Sequence, residues 1–264
     1  GAAGLALPLG LLAWRCAGLA VQRRAGAPAA SNATVDAAMS LLDVMYGGFA
    51  NDAFHEGIDE AKARDEVIAK TGEVIASTYG ELNPRSVVSV LEYLGARPGM
   101  RYYDLGSGLG KTPAVAYLLG LDATGVELVS DRWAFACRAL GKLRSQSPKY
   151  HGPGLRYLKR NLLDVDFSDA DIVFTDSVMF SDRLLGGMAA VARRMRPGAK
   201  IVSFKGLPGG EFASFDYMQA PTSWSNESWW HIQEVLNSTH NARPADGPKK
   251  FGSQETSGQD LCAM

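Results

Sequence analysis

Residues 104–110 of this 264-residue chain read Asp-Leu-Gly-Ser-Gly-Leu-Gly. Before them lies a short strand pattern, Tyr102 to Leu105. After them comes a helical pattern from about Lys111 to Leu119, closed by Gly120. Glycine tolerates positive φ and lets another group approach the backbone closely. In a doubly wound α/β sheet, the turn after the first strand lies where ligands bind, at the carboxyl ends of the strands. Apolar residues make up 46% of the chain and charged residues 21%. That suits one folded domain, with room for a small appendage. Disorder, a coiled coil and a repeat array are excluded by composition and by lack of period.

The segments around the loop alternate between strand and helix. Ala123 to Glu127, Leu155 to Leu158, Asp171 to Thr175 and Lys200 to Phe204 read as further strands. Ser130 is expected to cap a helix whose face is Trp133, Cys137, Leu140 and Leu143. Asp182 is expected to cap one with Leu185, Met188, Val191 and Met195 on one side. Two late strand candidates, Phe215 to Gln219 and Trp229 to Leu236, follow. This order implies a parallel sheet covered by helices. Upstream, residues 36–78 carry apolar residues at helical spacing (Leu41, Leu42, Met45, Ile58, Val67, Ile68, Val74, Ile75) and imply two or three helices. Asn83-Pro84 starts another, with Val87, Val88, Leu91 and Leu94 on its apolar face.

The ends differ from the middle. Residues 2–14 are almost wholly apolar, and Arg15 interrupts the run before Cys16 to Val21. This segment reads as a leader, a targeting segment or a short anchor; unbroken, it falls below the roughly 20 residues that span a bilayer. Residues 241–264 are rich in Gly, Pro, Ser and Gln, and read as a loose tail. The cysteines, Cys16, Cys137 and Cys262, are odd in number and far apart, which predicts neither a disulfide framework nor a cysteine zinc site. His55-Glu56 lacks the second histidine of a metalloprotease helix, so no metal site is expected. Asn32, Asn226 and Asn237 begin N-x-[ST] triplets, which matter only in a secreted chain. Lys and Arg number 27 against 28 Asp and Glu, a balance that argues against gripping nucleic acid by bulk charge.

Three phosphate- or nucleoside-bearing ligands compete for the glycine turn. Gly110-Lys111-Thr112 looks like the end of a P-loop, but the glycine needed five positions earlier is Leu105, so the likeness reads as accidental. A dinucleotide fingerprint needs its third glycine one residue later. The remaining candidate is S-adenosyl-L-methionine. D-L-G-S-G-x-G after a strand resembles the first motif of the Rossmann-like methyltransferases. The resemblance implies that Asp104, Gly106, Ser107, Gly108 and Gly110 cradle the amino-acid part of the cofactor. It also implies that Glu127, ending the second strand, accepts the two ribose hydroxyls, and that Asn161 and Leu162 meet adenine. The implied fold is α/β: a Rossmann-like seven-stranded S-adenosyl-L-methionine-dependent methyltransferase sheet with an N-terminal helical extension.

Three further stretches narrow the resemblance: Tyr79-Gly80-Glu81, then Ile172 to Phe180 (IVFTDSVMF), then Ser223-Trp224-Ser225. Their order around the glycine loop resembles the non-SET, DOT-type (disruptor of telomeric silencing) histone lysine methyltransferases, over roughly Val67 to Val235. The resemblance implies that Tyr79 and Glu81 close the site with Leu82 beside the methionine part. It implies that Phe180 and Trp224 line an apolar channel for a lysine side chain, since a dry channel lowers a lysine pKa and aligns nitrogen with the methyl carbon. Where the histone enzymes have two asparagines, this chain has Asp176-Ser177; Asp176 can accept a hydrogen bond from an amine, or its proton. His231 falls about where the family has a channel tyrosine and reads as a solvent-facing strand residue.

The organisation implied is a leader over 1–34, a helical region over 35–98, a methyltransferase domain over 99–240 and a tail over 241–264. The implied acceptor is a protein, with histone H3 in nucleosomes the family's own. The family's histone enzymes bring a strongly basic segment to the nucleosome, whereas this chain has only Lys249-Lys250 in a neutral tail, so strong direct nucleic-acid binding is not expected. Three alternatives stay open: an organellar enzyme anchored by residues 1–21, a small-molecule methyltransferase, and a non-catalytic cofactor-binding module. The compartment is the nucleus for a histone substrate, and an organelle or membrane if the leader is functional.

Overall fold

The computed structural model describes residues 31–48, 58–74, 78–146, 154–238 and 260–263. The N-terminal helices are α1 (Asn32–Tyr46) and α2 (Glu60–Thr71), followed by α3 (Pro84–Tyr93). Ser31 caps α1 by accepting from the Thr34 N–H, and Asp59 caps α2 through two N–H groups. Asn83-Pro84 does start α3, with proline supplying the helical φ rather than asparagine a side-chain bond. Val87, Val88 and Leu91 are buried on that helix, while Leu94 is only half-buried.

The sheet then assembles in alternation: β1 (Arg101–Leu105), α4 (Lys111–Leu118), β2 (Asp122–Glu127), α5 (Ser130–Gln146), β3 (Leu155–Lys159), β4 (Ile172–Thr175), α6 (Asp182–Ala192) and β5 (Lys200–Ser203). The antiparallel pair β6 (Phe212–Gln219) and β7 (Trp229–Val235) follows, and β8 (Leu261–Ala263) comes last. The strand order is β6-β7-β5-β4-β1-β2-β3-β8. β3, β2, β1, β4 and β5 run parallel, while β6, β7 and β8 pair antiparallel. This is the expected doubly wound α/β sheet. Its two faces are buried under separate cores. One contains Leu42, Leu91, Val115, Leu140 and Trp230; the other contains Phe167, Leu185, Met188 and Ile201. The chain reverses its outward growth between β1 and β4, so the crevice at their carboxyl ends is the ligand position of such sheets.

Several expectations need correction. Among the described residues an eighth strand joins the expected seven, because the tail is not wholly loose: β8 adds to the free edge of β3. Its Cys262 forms a disulfide with Cys137 of α5, across a sequence separation of 125. Wide spacing in sequence argued against a bridge, but β8 lies beside α5 in space. Ser181, not Asp182, caps α6, since its hydroxyl accepts from the Leu184 N–H at 3.3 Å. Val74 lies beyond α2 and is 60% exposed, so it is not a core position. The expected leader overruns its boundary, since Ser31 caps α1 and residues 32–34 open it; residues 1–30, His55-Glu56, Ile75 and Lys249-Lys250 lie outside the described residues. Among the described residues, no helix is long and apolar enough to cross a membrane.

Candidate active site

The glycine turn follows β1 directly. Gly106, Gly108 and Gly110 have φ of 89°, 54° and 81°, where a side chain would be strained. At Gly108 space matters as well as φ: a Cβ would sit 2.5 Å from the Tyr79 ring. Below the turn, Tyr157 of β3 donates its hydroxyl to the Gly110 carbonyl at 2.7 Å. From α1, Tyr46 donates to the Leu109 carbonyl at 2.9 Å. The turn is therefore gripped from two elements that the glycine motif does not contain.

Acids surround it. Glu127, at the end of β2, accepts from the Gly108 N–H through one oxygen and from the Val129 N–H through the other, both at 2.7 Å. A carboxylate offers about four lone-pair sites, so two remain for hydroxyl donors. Asp104, the penultimate residue of β1, receives the Thr112 hydroxyl on Oδ2, while Oδ1 is buried with no partner. Burial pushes the Asp104 carboxyl well above the usual range, and the negative charges of Glu127 and then Asp176 push it further. Asp176 follows β4; its Oδ1 is likewise buried without a partner, and burial raises its pKa to about 7 against the pull of the Val178 N–H. Ser107 Oγ and Ser203 Oγ are two more buried oxygens without partners. All four atoms stand at the carboxyl ends of β1, β4 and β5. Buried polar groups in a native fold are nearly always satisfied, so this cluster has the character of a site awaiting donors and positive charge. A cofactor carrying a sulfonium and an ammonium fits it.

Two distant segments close over the turn. Tyr79, Gly80 and Glu81 precede α3; Ser223 and Trp224 lie between β6 and β7. The Glu81 N–H donates to Ser223 Oγ at 3.2 Å and the Ser223 N–H to the Glu81 carbonyl at 2.8 Å. Leu82 and Thr222 form an isolated antiparallel bridge. A Cβ at Gly80 would fall 2.3 Å from the Trp224 ring, so only glycine lets the indole lie down there. The Tyr79 hydroxyl donates to Glu81 Oε2 at 2.5 Å, and the Arg132 guanidinium lies 5.0 Å from the Tyr79 ring centroid. Burial, then the Glu81 charge, hold the Tyr79 phenol protonated, as a donor must be.

The remaining expected residues are less uniform. Phe180 is buried, with its ring 3.5 Å from where a Gly106 Cβ would stand, so it borders the turn. Trp224 is 44% exposed and covers Gly80. Ser177 is structural: its hydroxyl accepts from the Lys205 N–H at 2.8 Å and ties the β4 turn to the β5 turn. Asn161 Oδ1 accepts from the Leu163 N–H at 3.0 Å, which leaves its NH2 group for a base edge; Leu162 beside it is half-buried. His231 is half-buried on β7, 4.7 Å from the Tyr217 ring, across from Ser203. Lys111 and Thr112 were passed over with the P-loop likeness, yet Lys111 Nζ binds Glu81 Oε1 at 2.7 Å and Thr112 holds Asp104. The signal in the sequence was a Lys-Thr pair opening a helix directly after the glycine turn.

The comparisons with known proteins decide the family. The profile described as Histone methylation protein DOT1 matches residues 64–235. The chain belongs to the DOT1 family. That match includes Tyr79-Gly80-Glu81, the glycine turn and Ser223-Trp224, the three parts that the fold brings together. Relatives in the DOT1 family include proteins named histone-lysine N-methyltransferase, H3 lysine-79 specific. The one from Candida albicans is 29% identical over 160 residues, covering 53% of this chain and 11% of that protein. Those from Eremothecium gossypii and Caenorhabditis elegans are each 27% identical, covering 52% and 50% of this chain and 26% and 15% of their own lengths. The chain thus spans well under half of these relatives. Among solved structures it is similar to an RNA methyltransferase from Salinibacter ruber in complex with S-adenosyl-L-homocysteine, at 17% identity and a TM-score of 0.45, over 62% of this chain and 97% of that one.

Proposed function

We propose that this DOT1-family chain transfers a methyl group from S-adenosyl-L-methionine to a lysine side chain of a protein, with the core of histone H3 the first acceptor to test. The observation that carries this reading is the joining of Tyr79-Gly80-Glu81 to Ser223-Trp224 over a glycine turn ringed by Asp104, Glu127 and Asp176. Under this reading residues 35–98 supply the cover, joined there by Ser223-Trp224, and 99–240, extended by β8, the sheet on which it closes.

S-adenosyl-L-methionine, when bound, supplies an electrophilic methyl on a positively charged sulfur. Asp104 and the Gly106–Gly110 turn hold its amino-acid part, Glu127 its ribose, and Asn161 with Leu162 its base. Tyr79, Glu81 and Leu82 exclude water above. The acceptor nitrogen must arrive neutral, because only a lone pair can form the new bond. Phe180 and Trp224 desolvate the arriving lysine and so favour its neutral form. Asp176, with a pKa of about 7, is poised near neutral pH to take the proton the ammonium gives up. Its carboxylate marks this site off from the asparagine-bearing enzymes the chain resembles.

The test is transfer of labelled methyl from S-adenosyl-L-methionine to nucleosomes and, in parallel, to a whole-cell extract, with the modified residue mapped by mass spectrometry. Label on a histone-core lysine supports the full reading. Label only on another protein keeps the chemistry and replaces the acceptor. Bound cofactor with no label on any protein sinks it.

A further inference from the structure

Lys111 is the first residue of α4, one position after the last glycine of the turn. Its side chain is 1% exposed, and that of its partner Glu81 9%. The two meet at 2.7 Å, while the other oxygen of Glu81 receives the Tyr79 hydroxyl. Tyr79 in turn lies on Gly108, two residues before Gly110. The cover and the floor of the site are therefore joined by one buried ion pair, with the anion on the cover and the cation on the floor. The Tyr46 ring, 5.5 Å from Lys111 Nζ, backs the cation with its π face.

A buried ion pair is weak evidence for net stability, but breaking it from one side leaves an uncompensated buried charge. Lifting residues 79–82 away from the turn withdraws the Glu81 carboxylate from the buried Lys111 ammonium and loses that attraction. The pair thus biases the cover toward its closed position. We infer that Lys111 is a positioning residue: it latches Tyr79-Gly80-Glu81 over the glycine turn through Glu81 and so preorganises the cofactor site. The Gly-Lys-Thr likeness to a phosphate loop gains a different meaning. Its lysine holds the cover's acid and its threonine holds the floor's acid, Asp104.

This inference rests on the functional reading above, so its test needs a readout with cofactor and one without. Lys111→Met, Lys111→Arg, Glu81→Gln and the Lys111→Met/Glu81→Gln double variant are compared with the wild-type full chain. Calorimetric titration with S-adenosyl-L-methionine is expected to show Kd raised about 10- to 30-fold in each of Lys111→Met and Glu81→Gln. The double variant should be no weaker than the worse single, as for two groups acting through one contact. KM for the cofactor should rise with it while kcat stays within about threefold, and Lys111→Arg should recover most of the loss. In ligand-free protein, hydrogen exchange at the Glu81, Asn83 and Ser223 amides should quicken about tenfold in Lys111→Met, because these N–H groups donate across the cover. Two results overturn the latch: a lowered Tm with cofactor Kd and cover exchange unchanged, or losses that multiply in the double variant. If the wild-type chain binds no S-adenosyl-L-methionine, the functional reading fails, and the exchange experiment still decides whether Lys111 holds the cover. Glu81→Gln keeps shape and volume, so the test survives if Lys111→Met does not fold.

Discussion

The two ends of the central sheet are built on opposite electrostatic plans. At the amino ends, charges come in opposite pairs. Arg101 binds Asp169 at 2.8 Å, Arg196 binds Asp171 at 2.7 Å, Arg156 binds Asp122 and Lys200 binds Glu234. Asp171 also accepts from the Arg101 N–H, which ties the start of β1 to the start of β4. At the carboxyl ends, Asp104 is buried and Asp176 half-buried, neither in an ion pair, and each keeps a buried oxygen with no partner. At the first end each of these acids has a base beside it. At the second, Lys111 and Glu81 pair with each other, while Asp104 and Asp176 have no counter-charge. The sheet is the same, so the difference reflects use: pairing holds strands together, while unmet buried acids lower stability and are kept where a ligand repays them.

That contrast can be broken at either end, and the largest effect is expected at the turn. Gly108→Ala puts a methyl into the Tyr79 ring at positive φ. We expect methyl transfer to fall by two to three orders of magnitude, about 3–4 kcal/mol, with far-ultraviolet circular dichroism unchanged. A chain that loses its fold instead would mean that the turn is a stability element too.

The β3 edge comes next. Replacing Cys137 and Cys262 by serine releases β8 and opens a long covalent loop. Denaturant unfolding should show a loss of about 3 kcal/mol, with cofactor affinity within about twofold of wild type. A larger loss of affinity would reveal coupling through Tyr157, which pairs with Cys262 in the sheet and supports Gly110 by its hydroxyl.

Asp176→Asn sharpens the comparison by moving stability and activity in opposite directions. The Asp176 carboxyl has a pKa of about 7 folded, against an ordinary value of 3.8. Between those values the folded chain holds a proton that the unfolded chain has released, so stability falls as pH rises and the cost is complete above about pH 7. Asparagine removes that cost. Thermal melts at pH 8 should show the variant more stable by roughly 1–3 kcal/mol, and the gain should fade toward pH 4. The rate of methyl transfer should lose its rise through neutral pH.

The smallest effect belongs to the paired end. Arg156→Met breaks the half-buried contact with Asp122 and should cost about 0.5–1 kcal/mol in thermal or denaturant unfolding. Activity under stabilising conditions should not change. A fall in kcat there would erase the distinction between the two ends.

How far these features could be read in advance depends on the range of the interaction. Asp104 to Gly110 announced its own turn, because strand, glycine and helix signals are local and act within a few residues. Glu127 was legible for the same reason: it ends the next strand, so its place follows from the order of elements. The family resemblance supplied Tyr79, Glu81, Phe180 and Trp224, but not how they meet. The disulfide was missed because Cys137 and Cys262 are neighbours only after β8 adds to β3. Lys111 was missed because its partner lies thirty positions earlier, on a segment with no regular structure. Ser177 looked like a substituted site residue and is a strut between two turns.

By itself, then, the amino-acid sequence determined the alternating strands and helices, the glycine turn and the acids at the strand ends. Those follow from backbone freedom and from hydrophobic period, which neighbouring residues decide among themselves. Only the tertiary structure decided that Gly80 lies under Trp224, that Lys111 is paired with Glu81, and that Asp104 and Asp176 each bury an oxygen without a counter-charge. Burial and pairing depend on what packs against a residue from elsewhere in the chain. The electrostatics of this site therefore belong to the fold, although every group in it is written in the sequence.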